Sequence, residues 1–508
     1  MTTATSIVSK SAIVAFLMSF REWKKYHFIL FILNYLHYYW AASKPTLFYQ
    51  KTPITQHLLN NCSLLVEKYH PTWYLFNGHL QTLFLALGNR FPVVQYRREH
   101  VHLTDGGLVS LDWAVPPTMD DVLRQHNHPT VLLLHGHCGG SWENYMRNAA
   151  DKLLHEGWRV VVMNARGCSK TPVLTARIFN GADTGDIREV VAHLRRKHVP
   201  SAPLLAVGFS LGSNLLVKYL GQEGERCPLN AAVSVGNPFD AMEIYRHLND
   251  SAMTYHVYYR AMTKKFLKLF FEESNVHEHI ADKHPTVDMC AMKECSFMWD
   301  VDHLMTLKVF GYKSVSEYYR DCSSTPYIQH VRIPLLCLSA KDDPVCVHSA
   351  IPIDDCLAND KIVLAITDRG GHLGFFTGNN VFSYPETWSS HVVAQFCNAV
   401  VDAVSSDEVI AVQETHETKL RPHGSAMDTK ASAERPPAPP VTSMSPSRMQ
   451  PPMSPLRIQP GFHDPVIDEV VLCDGVPMHQ VFSVGAAFAG AYLVYSKMDH
   501  VVGRWWWC

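Results

Sequence analysis

Short apolar runs recur along most of the chain, and segments with helical periodicity separate them. Eight runs have the length and composition of buried strands, and they span 101–103, 108–113, 131–134, 159–163, 204–209, 231–236, 335–339 and 362–366. The turn-forming sequence 104–107 joins the first two runs as a hairpin. Short buried runs that alternate with helices are typical of a mostly parallel sheet with helices on both faces. We therefore expect an α/β fold with an eight-stranded sheet.

A long segment, 237–332, interrupts this alternation after the sixth predicted strand. It contains a helix-like run over 255–271, with apolar residues that include Val257, Phe266 and Phe270. We interpret the segment as a helical cap inserted over the active site. Two interpretations of its apolar face stay open: the face lines a pocket for an acyl chain, or it packs on the core.

The fifth predicted strand runs directly into the pentapeptide Gly208-Phe209-Ser210-Leu211-Gly212, and a helical pattern follows. A strand that turns at once into a helix holds the residue at the corner in a strained conformation, and the flanking glycines leave room for the bend. The first turn of the helix directs unpaired N–H groups at the same corner. The pattern predicts a nucleophile elbow in which Gly208 and Gly212 flank a nucleophilic Ser210.

A serine nucleophile needs a base that accepts its proton and an acid that orients the base. In a sheet of this kind the partners follow later strands, in the order Ser, Asp, His. Asp342 and Asp343 follow the seventh predicted strand, and His372 follows the eighth. We assign Asp343 to the triad because Pro344 comes directly after it, and we interpret Asp342 as a solvated or loop-capping neighbour.

Cleavage of an ester through a serine also requires N–H groups that bind the oxyanion of the tetrahedral intermediate. We expect these donors to be the backbone N–H of Leu211, directly after the nucleophile, and that of His137, in the loop after the third predicted strand. The motif and its partners together predict hydrolysis of a carboxylic ester through a covalent acyl-enzyme.

Composition and charge narrow the range of partners. The chain carries a formal net charge of −2 and has a pI near 7.0, so no basic surface for nucleic acid is expected. Its 13 cysteines contain no C-x-x-C pair, which argues against a structural zinc site or a disulfide framework. We expect a small-molecule lipid ester as substrate, no nucleic acid, no metal and no cofactor. The sequence specifies no oligomeric state.

The N-terminal region, 1–50, contains an apolar run rich in aromatic residues over 27–42. A helix of this length reaches about 24 Å, somewhat short of the roughly 30 Å hydrocarbon core of a bilayer. We predict a single membrane anchor over about 27–43, with an amphipathic helix in the headgroup region as the alternative. Basic residues are more frequent before the run than after it, which favours a type II orientation. We expect the endoplasmic reticulum or another endomembrane as the location.

The remaining sequence divides into three parts. Residues 51–405 form the predicted hydrolase domain. Residues 406–465 are rich in Pro and Ser, a composition typical of a disordered linker. Residues 466–508 form a C-terminal segment with a small-residue apolar stretch over 481–496, for which a second membrane-touching segment and an interfacial helix stay open.

Several stretches of the chain resemble one known family, the membrane-anchored α/β-hydrolase-domain esterases of the AB hydrolase 4 family. The matching stretches are 44–45, 67–72, 78–82, 164–169, 208–212, 310–312, 317–319, 338–344 and 370–375. The resemblance covers about 28–400. It implies the α/β-hydrolase fold, a type II membrane anchor and a triad of Ser210, Asp343 and His372. It also implies short- to medium-chain acyl esters, acylglycerols and phospholipids as substrates.

The chain departs from the family at three places. His137-Cys138 stand where the family usually has Leu-Thr, Trp299 stands in a position that is usually Phe, and the tail after 405 has no counterpart. Two alternatives to hydrolysis remain. One is acyl transfer to an alcohol through the same acyl-enzyme, with water excluded by the cap. The other is a membrane scaffold without catalytic activity.

Overall fold

The central sheet is built from strands distributed over most of the chain. A computed structural model describes residues 39–88, 91–116, 126–378 and 385–403, together with Ile32 and Leu36. The strands of the main sheet are β1 (Thr46–Phe48), β2 (Tyr96–His102), β3 (Leu108–Ala114), β4 (Thr130–Leu134), β5 (Arg159–Asn164), β6 (Leu204–Phe209), β7 (Ala231–Val235), β8 (Leu335–Ala340) and β9 (Ile362–Thr367). Within these residues the sheet has nine strands, in the order β1-β9-β8-β7-β6-β4-β5-β3-β2.

Six neighbouring strands pair in parallel, and they are β9, β8, β7, β6, β4 and β5. The other three strands, β1, β2 and β3, pair antiparallel with their neighbours. All eight predicted strands are present, and the predicted α/β class with its mostly parallel sheet is confirmed. The ninth strand, β1, is the difference. Its three residues are too few to show an alternation, and it forms by pairing with β9, where Leu47 lies opposite Ala365.

Helices cover both faces of this sheet. In chain order they are α1 (Pro53–Asn61), α2 (Ser63–Val66), α3 (Gly78–Leu87), α4 (Asn144–His155), α5 (Gly185–Lys197), α6 (Leu211–Glu223), α7 (Ala241–Asp250), α8 (Arg260–Lys268), α9 (Val276–Lys283), α10 (Met289–Lys293), α11 (Met298–Val301), α12 (Leu307–Phe310), α13 (Val315–Cys322), α14 (Ile353–Ala358) and α15, which spans 388–403. Residues 39–41 are helical as well.

The two faces have separate apolar cores. Successive residues of a strand point to opposite faces, so Leu133 contributes to one core and Leu132 to the other. Helices α1 to α4 and α15 pack on the first face, and α5, α6 and α14 pack on the second. All residues of β3 to β9 are buried, which explains why most of these strands read as continuous apolar runs. β3 is the exception, because it contains Ser110 and Asp112.

The segment between β7 and β8 is helical and contains α7 to α13. The π-helical turns Thr254–Tyr259 and Leu269–Glu273 flank α8, and a third π-helical turn, Asp302–Thr306, joins α11 to α12. This insertion lies where the sequence places the cap, directly after the sixth predicted strand. Its bounds of 237–332, like the other domain bounds, stay predictions.

Both ends of the chain carry predictions that fall largely beyond the described residues. Of the anchor expected over about 27–43, the structure describes Ile32, Leu36 and residues 39–43. The predicted linker 406–465 and C-terminal segment 466–508 lie wholly outside the described residues. Among the helices that the structure describes, none combines the length and the apolar character needed to cross a bilayer. The membrane anchor therefore stays a prediction.

Candidate active site

Ser210 lies at the corner between β6 and α6. Its backbone has φ 52° and ψ −123°, a conformation that costs a non-glycine residue about 1–3 kcal/mol. The two glycines of the pentapeptide permit this corner because the chain packs closely around them. A Cβ on Gly208 would lie 2.4 Å from the Cα of Ser213, and a Cβ on Gly212 would lie 2.5 Å from the carbonyl oxygen of Leu134 in β4. Larger residues at either place would force the corner apart.

The three residues predicted to form a triad lie in one hydrogen-bonded row. The Ser210 hydroxyl is 2.9 Å from Nε2 of His372, and Nδ1 of the same ring is 2.9 Å from Oδ2 of Asp343. When Nδ1–H donates to the carboxylate, Nε2 is left as the acceptor for the serine proton. The Asp343 side chain is 2% exposed and the His372 side chain 14%, so solvent reaches little of the row.

The two adjacent carboxylates have different surroundings. Oδ1 of Asp343 accepts hydrogen bonds from the backbone N–H groups of Val345 and Cys346, at 2.7 and 2.8 Å, which leaves Oδ2 for the histidine. Oδ1 of Asp342 accepts a hydrogen bond from the N–H of Gly371 at 2.9 Å, and burial raises the pKa of this carboxyl. Asp342 therefore caps the loop that carries His372, one of the two roles that the sequence analysis left open for it.

A second contact holds the histidine loop, and the sequence analysis did not find it. The N–H of His372 donates to Oγ1 of Thr82 in α3 at 2.8 Å, and the Thr82 hydroxyl donates to the Gly78 carbonyl at 2.6 Å. Thr82 is 290 residues away from His372 in the chain. The stretch 78–82, which contains Thr82, is one of the stretches that resemble the family. This resemblance was the one available signal in the sequence that Thr82 contributes to the active site.

The loop after β4 approaches Ser210 from the other side. A Cβ on Gly136 would lie 3.1 Å from the Cβ of Ser210, and the N–H of Gly136 donates to the Tyr145 hydroxyl at 2.9 Å. His137 and Leu211, the two predicted oxyanion donors, both line the cavity that Ser210 faces. Leu211 is the first residue of α6, so its N–H has no acceptor within the helix. Their role as donors stays a prediction.

The His137 side chain is occupied by structural contacts. Its ring stacks on Phe266 at a centroid distance of 6.1 Å, and its Nε2 lies 3.3 Å from the carbonyl oxygen of Met262. Burial, together with the nearby charge of Lys265, lowers the pKa of His137 to about 4. The imidazole is therefore neutral near pH 7 and supplies no acid or base there.

A cavity of about 160 Å³ opens next to Ser210. Most of its lining is apolar or aromatic, and the lining residues include Phe179, Ile244, Leu248, Met262, Phe266 and Met305. Several of them belong to the helices inserted between β7 and β8. Other apolar residues of this insertion, such as Phe270, are fully buried in a cluster that also contains Cys168 and Ile178 from outside the insertion. The insertion's apolar residues therefore divide between cavity lining and packing, and the acyl chain as occupant of the cavity stays a prediction.

Two groups of side chains in the described part of the chain have the spacing of metal ligands. One consists of Asp343, Cys346 and His372 and overlaps the triad, where the histidine is already engaged on both nitrogens. The other consists of Glu99, His193 and His198. There the carboxylate already binds a cation of the protein itself, because Lys197 Nζ lies 2.6 Å from Glu99 Oε1. Neither group therefore offers a ready cofactor site.

Comparisons with known proteins agree with this fold. A family model of the alpha/beta hydrolase fold matches residues 129–269. The embryogenesis-associated protein EMB8 of Picea glauca is 32% identical over 345 residues, which cover 67% of this chain and 74% of that protein. Phospholipase ABHD3 of Homo sapiens is 34% identical over 379 residues, covering 73% and 89%. A monoacylglycerol lipase of Saccharomyces cerevisiae is 31% identical over 344 residues, covering 59% and 75%.

The sheet, the nucleophile elbow and the Ser-His-Asp row are features of the α/β hydrolases. The relatives indicate one family within this class. This chain belongs to the α/β-hydrolase family that includes EMB8 and phospholipase ABHD3.

The contact between Thr82 and His372 generates a testable prediction. Thr82→Val keeps the shape of the side chain and removes the acceptor for the His372 N–H. We expect kcat for a soluble ester to fall about tenfold with little change in KM, because a misplaced base lowers the rate of chemistry rather than ground-state binding. Thr130→Val is the matched control, since this variant also loses a hydroxyl hydrogen bond. Thr130 is the first residue of β4 and lies at the amino ends of the parallel strands, away from Ser210 at their carboxyl ends. Equal kcat values for Thr82→Val and wild type would contradict the positioning role.

Proposed function

We propose that this protein is a serine hydrolase that cleaves carboxylic esters of lipids through an acyl-enzyme on Ser210. The observation that carries the proposal is the continuous row from Asp343 through His372 to Ser210, with both hydrogen bonds at 2.9 Å. The nucleophile, the base and the orienting acid are within hydrogen-bonding distance of one another without any rearrangement.

The geometry supports the following sequence of steps. Nε2 of His372 accepts the proton of the Ser210 hydroxyl as Oγ attacks the ester carbonyl carbon, and the carbonyl oxygen becomes an oxyanion. The N–H groups of Leu211 and His137 bind that oxyanion. His372 then donates its proton to the leaving alcohol as the C–O bond breaks. Water enters, and His372 takes a proton from it as the water oxygen attacks the acyl carbonyl carbon. The bond between that carbon and Ser210 Oγ then breaks, and His372 returns the proton to Oγ, which releases the acid and regenerates Ser210.

The cavity beside Ser210 supports a lipid substrate. Its apolar lining removes an acyl chain from water, which contributes about 0.8 kcal/mol for each buried methylene group. The names of two relatives, a phospholipase and a monoacylglycerol lipase, agree with a lipid ester. Short- to medium-chain acyl esters remain the expectation from the family resemblance.

Acyl transfer to an alcohol is the second candidate, because it shares every step up to the acyl-enzyme. One relative, at 29% identity over 390 residues, is named a medium-chain fatty acid ethyl ester synthase/esterase. Product analysis with ethanol present distinguishes the two functions, since hydrolysis yields the free acid and transfer yields the ethyl ester.

The nucleophile can be tested with a fluorophosphonate probe, which reacts covalently with an activated serine. We expect the wild type to be labelled and Ser210→Ala to remain unlabelled. Ser213→Ala is the matched control and should be labelled like the wild type. Ser213 lies in the first turn of α6, which begins directly after Ser210, and its hydroxyl donates to the Ser210 carbonyl oxygen at 2.5 Å. Labelling of Ser210→Ala would exclude Ser210 as the nucleophile, and an unlabelled wild type would favour a scaffold without activity.

The adjacent carboxylates provide an internal comparison. Asp343→Asn removes the charge that holds the His372 tautomer, and we expect kcat to fall about a thousandfold or more. Asp342→Asn keeps an oxygen that can accept from Gly371, so we expect a loss of about threefold or less. Steady-state kinetics with one soluble ester on both variants measures the difference. A larger loss for Asp342→Asn would mean that the wrong carboxylate is assigned to the triad.

A further inference from the structure

One carboxyl group lies in the wall of the apolar cavity, and the hydrolytic steps do not use it. Asp302 is 4% exposed and lines the same cavity as Ser210. No other carboxylate is among the cavity-lining residues in the described part of the chain. Placing an ionisable group among apolar side chains is costly unless it is paired or hydrogen-bonded. Its presence therefore needs an explanation beyond packing.

The backbone around Asp302 has an unusual local form. Residues Asp302–Thr306 make a π-helical turn between α11 and α12, so the chain carries one extra residue per turn at this point. Such turns interrupt a regular helix and are frequent at functional sites. Thr306, at the end of the turn, lines the cavity too.

Two hydroxyl groups hold the carboxyl in place. The Thr306 hydroxyl donates to Oδ1 at 2.7 Å, and the Tyr319 hydroxyl donates to Oδ2 at 3.0 Å. A carboxylate offers about four acceptor positions, so each oxygen keeps one after these two bonds. Burial raises the pKa of Asp302 to about 7, while the two hydroxyl donors act in the opposite direction. The remaining acceptor positions are thus available to a ligand in the cavity.

These contacts also connect α13 to the turn between α11 and α12, so a purely structural role is the competing explanation. A structural link alone does not require a carboxyl in the cavity wall, since apolar side chains of similar volume often stabilise a buried site as well or better. The position of Asp302 beside the nucleophile's cavity is the feature that a structural role leaves unexplained.

We propose that Asp302 is a specificity-determining residue that accepts a hydrogen bond from a hydroxyl group of the ester, so that hydroxyl-bearing esters are preferred over plain alkyl esters. This inference rests on the proposed ester hydrolysis. The hydroxyl belongs either to the alcohol part, as in a monoacylglycerol, or to a hydroxylated acyl chain. A buried acceptor discriminates strongly, because a ligand without the donor leaves it desolvated and unpaired.

The test compares kcat/KM for three esters of the same acyl length. Methyl octanoate is the plain ester, 1-monooctanoylglycerol carries hydroxyls on the alcohol side, and methyl 8-hydroxyoctanoate carries one on the acyl side. For the wild type, we expect at least one hydroxyl-bearing ester to be preferred by about tenfold or more. The ester that is preferred identifies the side on which the hydroxyl binds.

The comparison is made above the Asp302 pKa of about 7, where the side chain is a carboxylate. There Asp302→Asn keeps the shape of the side chain and replaces the charge-assisted acceptor by a weaker neutral one. We expect the preference to fall about three- to tenfold, mainly through kcat/KM for the hydroxyl-bearing ester. Asp300→Asn is the matched control because Asp300 lies two residues before Asp302, in α11, but is exposed and outside the cavity lining. It should keep the wild-type preference. Thr306→Val removes the hydroxyl that holds Oδ1 in place and leaves the carboxyl intact. Because the acceptor is then less well positioned, this second variant should also lower the preference.

The outcomes separate this inference from the proposed function. A wild type that hydrolyses none of the three esters would contradict the proposed function. A wild type that hydrolyses them all with equal kcat/KM would overturn the inference and leave the hydrolase assignment in place. A loss of activity in Asp302→Asn and Thr306→Val that is equal for all esters would show a structural link only, and it too would overturn the inference.

Discussion

The site depends on holding one strained serine within 2.9 Å of a histidine that comes from a distant loop. The Ser210 backbone has a φ of 52°, which an isolated chain would relax. Close packing keeps it in place, because Gly212 lies directly against the backbone at the end of β4. The same contact fixes the position of the elbow relative to the loop that follows β4, which carries His137. The strained corner and the expected oxyanion donors are thus set by one packing arrangement.

The parallel order of the strands supplies the rest of the geometry. Strands β6, β8 and β9 run in the same direction, so the residues that follow them meet at one edge of the sheet. Ser210, Asp343 and His372 each follow one of these three strands. The sheet alone would still leave the histidine on a glycine-rich loop. The His372 N–H donates to the Thr82 hydroxyl oxygen and the Gly371 N–H donates to the Asp342 carboxylate, and these two hydrogen bonds remove that freedom.

The strand order and the contacts between distant segments together explain which parts of the fold and site could be predicted from the sequence. The eight strands and the triad were accessible because each is encoded locally: an apolar run, then a polar residue at its end. Tyr145 and Asp302 were missed because nothing near them in the chain marks them, and Thr82 was missed because its stretch, 78–82, showed a family match but no role. Thr82 becomes important only when α3 is placed beside a loop 290 residues away. Asp302 stands among helical residues of ordinary appearance, and only the folded insertion brings it to the cavity. The short strand β1 depends in the same way on its partner β9.

The helical insertion is connected to the catalytic side of the fold at the loop that carries His137. Three residues of α8 make these contacts: Met262 accepts from the His137 ring, Phe266 stacks on it, and Lys265 pairs with Glu143 at 2.7 Å. A displacement of α8 that widened the cavity would break all three contacts and would disturb the loop. Three contacts from one helix therefore hold the loop whose backbone N–H at His137 is the expected oxyanion donor. Because α8 also supplies Met262 and Phe266 to the cavity lining, the same helix contributes to the apolar surroundings in which a low local dielectric strengthens hydrogen bonds to an oxyanion.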